Sequence, residues 1–172
     1  MNEAYENLIT RVSTRNFKPD MVSDEEIDKV VYAGLKAPTA KNTQENVIIV
    51  IKDKKVRDEV SRINASIMGM EMDPFYGAPV IIIVAYKKSC ANGIYDGSLV
   101  LGNMMNAAHA LGLGSCWIHR ARQEFELPEF QELLRSCGIG EDYIGVGHLA
   151  LGYVNGELAK VKEIKPNRVI NI

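Results

Sequence analysis

The stretch Gly102-Asn103-Met104-Met105-Asn106-Ala107-Ala108-His109-Ala110-Leu111-Gly112-Leu113-Gly114-Ser115-Cys116-Trp117-Ile118 decides how the chain is read. Its first half is apolar or small on almost every side. The same character runs back to Tyr95, so residues 95–112 read as one central buried helix. Gly97, Gly102 and Gly112 are points of close approach along it. A helix of this kind packs on several neighbours or on a second subunit. Gly112 and Gly114 end it, and Gly114 to His119 reads as a strand.

Working outward, Tyr5, Leu8, Ile9 and Val12 stand at helical spacing, which predicts a first helix over residues 2–11. Ser23-Asp24-Glu25-Glu26 is a capping box; Ile27, Val30, Val31 and Leu35 form the stripe behind it, and Pro38 ends that helix. Val47 to Ile51 reads as a short buried strand. Asp53 caps a helix through about Ile67, and Pro79 opens a second buried strand, Val80 to Val84. Pro128 suits the first turn of a helix carrying Phe130, Leu133 and Leu134. Tyr143 to Tyr153 is a fourth strand. After Gly156 the chain turns basic and loses helical period, so residues from about 156 to 172 read as an extended tail, with Arg168 to Ile172 a candidate edge strand. Strands and helices mix without strict alternation, which predicts an α+β fold in one domain spanning residues 1–172. The apolar end of the tail needs a surface. A partner subunit would supply one, and so would the tail's own protomer.

The composition excludes several classes. The 172 residues are 47% hydrophobic and 24% charged, which is globular. A formal charge of −2 gives no reason to expect nucleic acid. The longest apolar run, Ala78 to Tyr86, is too short for a membrane span, and MNEAYENLITR does not read as a secretory signal. Cys90, Cys116 and Cys137 form no C-x-x-C, which argues against a disulfide scaffold or thiolate zinc site and for a cytoplasmic home. His109, His119 and His148 have no His or carboxylate at i+4, and there is no G-x-S-x-G, so metal and hydrolase chemistry have no motif. Cys116 reads as a small core residue and Trp117 as packing. Nothing supports pairing Cys116 with His148.

Polar groups gather in three places. Arg11, Ser13 and Arg15 alternate, so in an extended segment they face one side and suit a phosphate or another polyoxygenated anion. Lys160 and Lys162 share one face of the tail and could complete that site. Ala37-Pro38-Thr39-Ala40-Lys41-Asn42-Thr43-Gln44 joins a helix to a strand and is dense in amides and hydroxyls, as a pyrimidine-like ring edge requires. Each has a plainer reading as well: a solvated helix end, a polar turn and a mobile terminus.

Taken together these segments resemble the nitroreductase family of FMN-dependent flavoproteins. The resemblance rests on R-x-S-x-R, A-P-T-A-K-N-x-Q, F-Y-G-A-P-V at Phe75 to Val80, the Gly102 to Ile118 passage, G-x-L-A-L-G-Y and the basic tail, in that order. It implies an α+β homodimer with FMN at each of two sites between the subunits, a mostly antiparallel central sheet flanked by helices, and a tail lying on the partner. By position, Arg11 resembles a phosphate ligand with Ser13 beside it. Arg15 resembles the cation near the ribityl chain and the N1/O2 edge. Pro38, Thr39 and Ala40 match the segment lying against the ring from the other subunit. Asn42 matches the amide that reads the pyrimidine edge, assisted by Gln44. Ile118 and His119 match the stretch whose backbone N–H groups approach N5 and O4, and Lys160 and Lys162 would close the phosphate site. No side chain need act as a nucleophile.

The implied activity is transfer of a hydride from NADH or NADPH through FMN to a small-molecule electron acceptor such as a nitroaromatic, quinone or activated alkene, with ping-pong kinetics. A flavin-binding protein without efficient NAD(P)H turnover, and a flavin-free dimeric interaction module, are the rival readings. The chain departs from the family in reading Gln44-Glu45-Asn46 where Q-P-W is common, in Lys160 and Lys162 where an arginine is often seen, and in Arg120 where some members carry glycine. Little sequence between Ile67 and Pro79 is free to build a large lid, which implies an open or partner-built pocket.

Overall fold

The computed structural model describes residues 2–140 and 142–172. Helix α1 (Glu3–Thr10) is followed by α2 (Asp24–Leu35), a single 3-10 turn (Ala40–Asn42), β1 (Asn46–Ile51), α3 (Lys54–Met68), β2 (Val80–Lys87), α4 (Gly93–Ala110), β3 (Gly114–Ile118), α5 (Ala121–Glu126), α6 (Pro128–Ser136) and β4 (Tyr143–Gly152). The four strands form one antiparallel sheet in the order β1-β2-β4-β3.

Local chemistry explains the element boundaries. The capping box at Ser23 is complete: its hydroxyl accepts the Glu26 N–H while the Glu26 carboxylate accepts the Ser23 N–H. Asp53 caps α3 through Lys55 and Val56, and Gly69 ends it in the left-handed conformation. Pro128 occupies the first turn of α6.

The unbroken apolar run of β2 reflects burial on both faces. Ile81 and Ile83 point into a core shared with α3, α5 and α6, whereas Val80, Ile82 and Val84 point into one shared with α2 and α4. The sheet is therefore the middle of three layers. Close approach in the second core depends on Gly34, where a Cβ would stand 2.7 Å from the Met104 side chain.

Four expectations change. First, β1 is an edge strand and only half-buried apart from Ile51, because among the described residues no strand pairs its outer side. Second, α4 is not buried all round: Tyr95 is 70% exposed and Leu99 49%, so one apolar face lies open. Third, Arg168 to Ile172 forms no strand, since among the described residues it pairs with no other strand, and the tail's apolar side chains are exposed. Fourth, α5, which the spacing did not announce, separates β3 from α6. Among the described residues no helix is long and apolar enough to cross a membrane.

Candidate functional site

The chain leaves α1 at Arg11 in an extended conformation and runs along the outer edge of β3, where Thr14 N–H donates to Ser115 O at 2.9 Å. Phe17 pairs with Val154, and Asn155 N–H donates to Asn16 O at 3.0 Å, so the chain after β4 returns beside this segment. The result is a cavity of about 290 Å³ lined by Arg11, Ser13, Arg15, Lys160 and Lys162 of one chain. Among the described residues none of these four cations has a carboxylate partner. Arg11 Nη1 is buried with no hydrogen-bond acceptor, and so is Thr14 Oγ1. Four like charges converging on a concavity, one with a desolvated and unpaired N–H, are stable together when an acceptor-rich anion lies among them. Arg15 is further held over the Tyr76 ring, 5.9 Å from its centroid.

Two neighbouring groups stay uncharged. Burial pushes the His109 imidazole below its ordinary range, and the Arg11 charge adds to the effect; its Nε2 lies 2.9 Å from Thr10 Oγ1. Burial pushes the Cys116 thiol up, against the opposing pull of Arg15, Ser13 and Arg11. Cys116 is thus a protonated core residue, with neither the exposure nor the thiolate character of a nucleophile.

The polar loop after α2 is tightly wound. Lys41, Asn42 and Gln44 all have positive φ, at 54°, 55° and 53°, a conformation costing non-glycine residues about 1 kcal/mol each. Besides the backbone bonds of the 3-10 turn, side chains hold it: Ala40 N–H donates to Asp96 Oδ1 at 3.0 Å, Gln44 N–H to Thr39 Oγ1 at 3.2 Å, and Gln44 Nε2 to Asn42 Oδ1 at 2.9 Å. The amides of Asn42 and Gln44 are thereby presented together on an exposed surface. This loop leads into β1, while the cationic cradle lies along β3, at the other edge of the sheet. Three strand spacings, about 14 Å, separate the two edges.

The third group lies where β3 ends. Ile118 is buried, His119 is exposed, and Arg120 has φ +80°. Behind them is a buried polar cluster. His148 on β4 contacts Ile118 O through Nδ1 at 3.3 Å and Glu124 Oε2 through Nε2 at 2.6 Å. Asn64 on α3 donates to Glu124 and to His119 O, and its own oxygen accepts from Arg120 Nε at 2.9 Å. Glu124, His148 and Asn64 are all fully buried.

Comparison with known proteins decides the family. The nitroreductase family model matches residues 8–71 and 66–153. The chain belongs to the nitroreductase family. It is 31% identical, over 91% of its length and 88% of the relative's, to an Archaeoglobus fulgidus protein named provisionally as an NADH dehydrogenase/NAD(P)H nitroreductase. It is 26% identical to a Bacillus subtilis FMN reductase [NAD(P)H], over 81% of this chain and 66% of that one. Its fold superimposes on a nitroreductase with bound FMN from Bacteroides fragilis with a TM-score of 0.92 at 24% identity, covering 100% of both chains.

In this nitroreductase-family chain, Arg11, Ser13, Arg15, Lys160 and Lys162 do meet in one cavity. Pro38, Thr39, Ala40, Asn42 and Gln44 form one loop that does not join that cavity within the chain. Ile118 and His119 sit on the cradle's edge of the sheet, at the end of β3. The sequence reading missed Asn64, Asp96, Glu124 and His148. Asp96 and His148 were visible as lone polar residues inside apolar runs; Asn64 and Glu124 carried no comparable signal.

Proposed function

We propose that this protein is an FMN-dependent NAD(P)H oxidoreductase acting as a homodimer on small electron acceptors such as nitroaromatics, quinones or activated alkenes. The observation that carries the reading is the cradle of four carboxylate-free cations with the buried, unpartnered Arg11 Nη1. It suits the dianionic phosphate of FMN, with Arg11, Ser13, Lys160 and Lys162 as its ligands. When bound, the flavin supplies the two-electron chemistry, so one ring face must serve NADH or NADPH and the acceptor in turn, a ping-pong arrangement.

The chain's own residues bind and orient. Arg15, steadied by Tyr76, places a fixed positive charge where negative charge develops on reduction. Pro38, Thr39 and Ala40 form the wall against the ring, and Asn42 and Gln44 offer donor and acceptor atoms to its pyrimidine edge. Ile118 and His119 cover the other side. The two edges of one sheet are too far apart to make these contacts together, which favours a loop supplied by a second copy. The open apolar face of α4 and the tail, where Ile164 is 82% exposed and Ile170 84%, favour the same assembly.

An absorption spectrum of the purified protein, followed by anaerobic NADH or NADPH, tests the reading. Flavin bands that bleach are expected. Bands that persist with both donors would point to a flavin binder without turnover. A protein that refuses FMN would overturn the assignment.

A further inference from the structure

Glu124, His148 and Asn64 are titratable or polar, fully buried and unused by the binding scheme above. What they touch is backbone. His148 contacts the Ile118 carbonyl and Asn64 donates to the His119 carbonyl, while the Glu124 side chain holds both His148 and Asn64. Two successive carbonyls are therefore held toward the interior. In a trans peptide the C=O of one residue and the N–H of the next point in opposite directions. Holding the Ile118 and His119 carbonyls inward turns the His119 and Arg120 N–H groups outward. For His119 the direction agrees with the sheet: Ser115 O faces the outer edge of β3, where it meets Thr14, so the alternation turns Ile118 toward β4 and leaves the His119 N–H on the cradle's edge. The strand ends at Ile118, and the His119 carbonyl turns inward to Asn64.

We propose that Glu124, His148 and Asn64 are positioning residues that aim the His119 and Arg120 N–H groups at the electron-accepting edge of the flavin. The inference rests on the FMN reading above. Arg120, a non-glycine residue at φ +80°, is kept there by its own Nε bond to Asn64. Phe75 closes the cluster edge-on to His148, with centroids 5.3 Å apart, which gives the F-Y-G-A-P-V segment a role behind the site. Hydrogen-bond accounting sets the cluster's requirements. A carbonyl only accepts, so His148 Nδ1 carries hydrogen, and one proton lies between Nε2 and Glu124. A glutamine at 124 can accept from Asn64 and donate to Nε2, so it satisfies the same pattern without the carboxylate.

The test measures FMN dissociation constants and two-electron midpoint potentials of the wild type, Glu124→Ala and Glu124→Gln holoproteins. Donors aimed where charge grows favour the reduced form. Glu124→Ala is expected to lose reduced-form affinity about tenfold more than oxidised-form affinity, a potential about 30 mV lower. Glu124→Gln is expected to restore the wild-type potential. If Glu124→Ala does not fold, Asn64→Ala, which frees the His119 carbonyl and spares the Glu124–His148 pair, carries the same expectation. An alanine variant with the wild-type potential overturns the proposal, and so does a glutamine variant as displaced as the alanine one. A wild-type protein that binds no FMN instead overturns the reading beneath it.

Discussion

Asp96, near the start of α4, accepts the backbone N–H of Ala40 at 3.0 Å, joining two residues 56 positions apart. The carboxylate is only 4% exposed, and it ties down a loop in which three non-glycine residues have positive φ. Without the tie that loop has less to hold it in a costly conformation. Asp96→Ala is expected to weaken FMN binding about tenfold, the effect of one charge-assisted hydrogen bond. Asp96→Asn keeps an acceptor and should retain most of the affinity. Titration by quenching of flavin fluorescence measures both, and an alanine variant with wild-type affinity would count against the tie.

The cradle makes a separate demand. Arg11→Ala removes the cation whose N–H is buried and unpaired, so FMN affinity is expected to fall ten- to a hundredfold, or about 1.5–3 kcal/mol. Riboflavin, which lacks the phosphate, should bind both proteins alike. Equal losses for the two flavins would remove Arg11 from the phosphate site.

Stability at low pH depends on Asp73. Its desolvation raises the carboxyl pKa, but hydrogen bonds from Arg57, Ser61, Phe75 N–H and Gly77 N–H together outweigh burial and hold it below the usual carboxylate range. A pKa lower in the folded than in the unfolded state stabilises the protein above about pH 4, the unfolded carboxylate value, and that stability drains away as pH falls through the folded value. Asp73→Asn should cost about 1–3 kcal/mol at pH 7 and lose less on acidification than the wild type. Thermal melts at pH 7 and pH 3 would show it; parallel pH profiles for the two proteins would exclude it.

The tail offers a test of assembly. Ile164 and Ile170 are exposed along a segment that meets little of its own chain. Replacing both by aspartate should convert a dimer to a monomer in sedimentation measurements and weaken FMN retention with it. A dimer that survives the change would take these tail residues out of the interface.

Much of this was legible in the residues. The Ser23 capping box, Pro128 at the start of a helix and the double-sided apolar run of β2 each state their structure locally, because capping and periodicity act within a few residues. Alternation likewise suffices to put Arg11, Ser13 and Arg15 on one side. The failures have physical causes as well. β1 was read as buried because Val and Ile runs look alike in central and edge strands; pairing partners, not composition, make the difference. Arg168 to Ile172 looked like a strand because β-branched residues favour extension, but extension becomes a strand only beside another edge. Helix α5 is too short to show a period.

The sequence by itself determined most of the element order, the two-sided burial of β2 and the alternation that puts Arg11, Ser13 and Arg15 on one side. Tertiary structure alone decided that the amide loop and the cationic cradle lie at opposite edges of one sheet, and that Asn64, Glu124 and His148 meet beneath Arg120. Periodicity reports which side of an element faces inward. Which distant polar groups then face each other depends on strand order and register, and those are set by the packing of the whole chain.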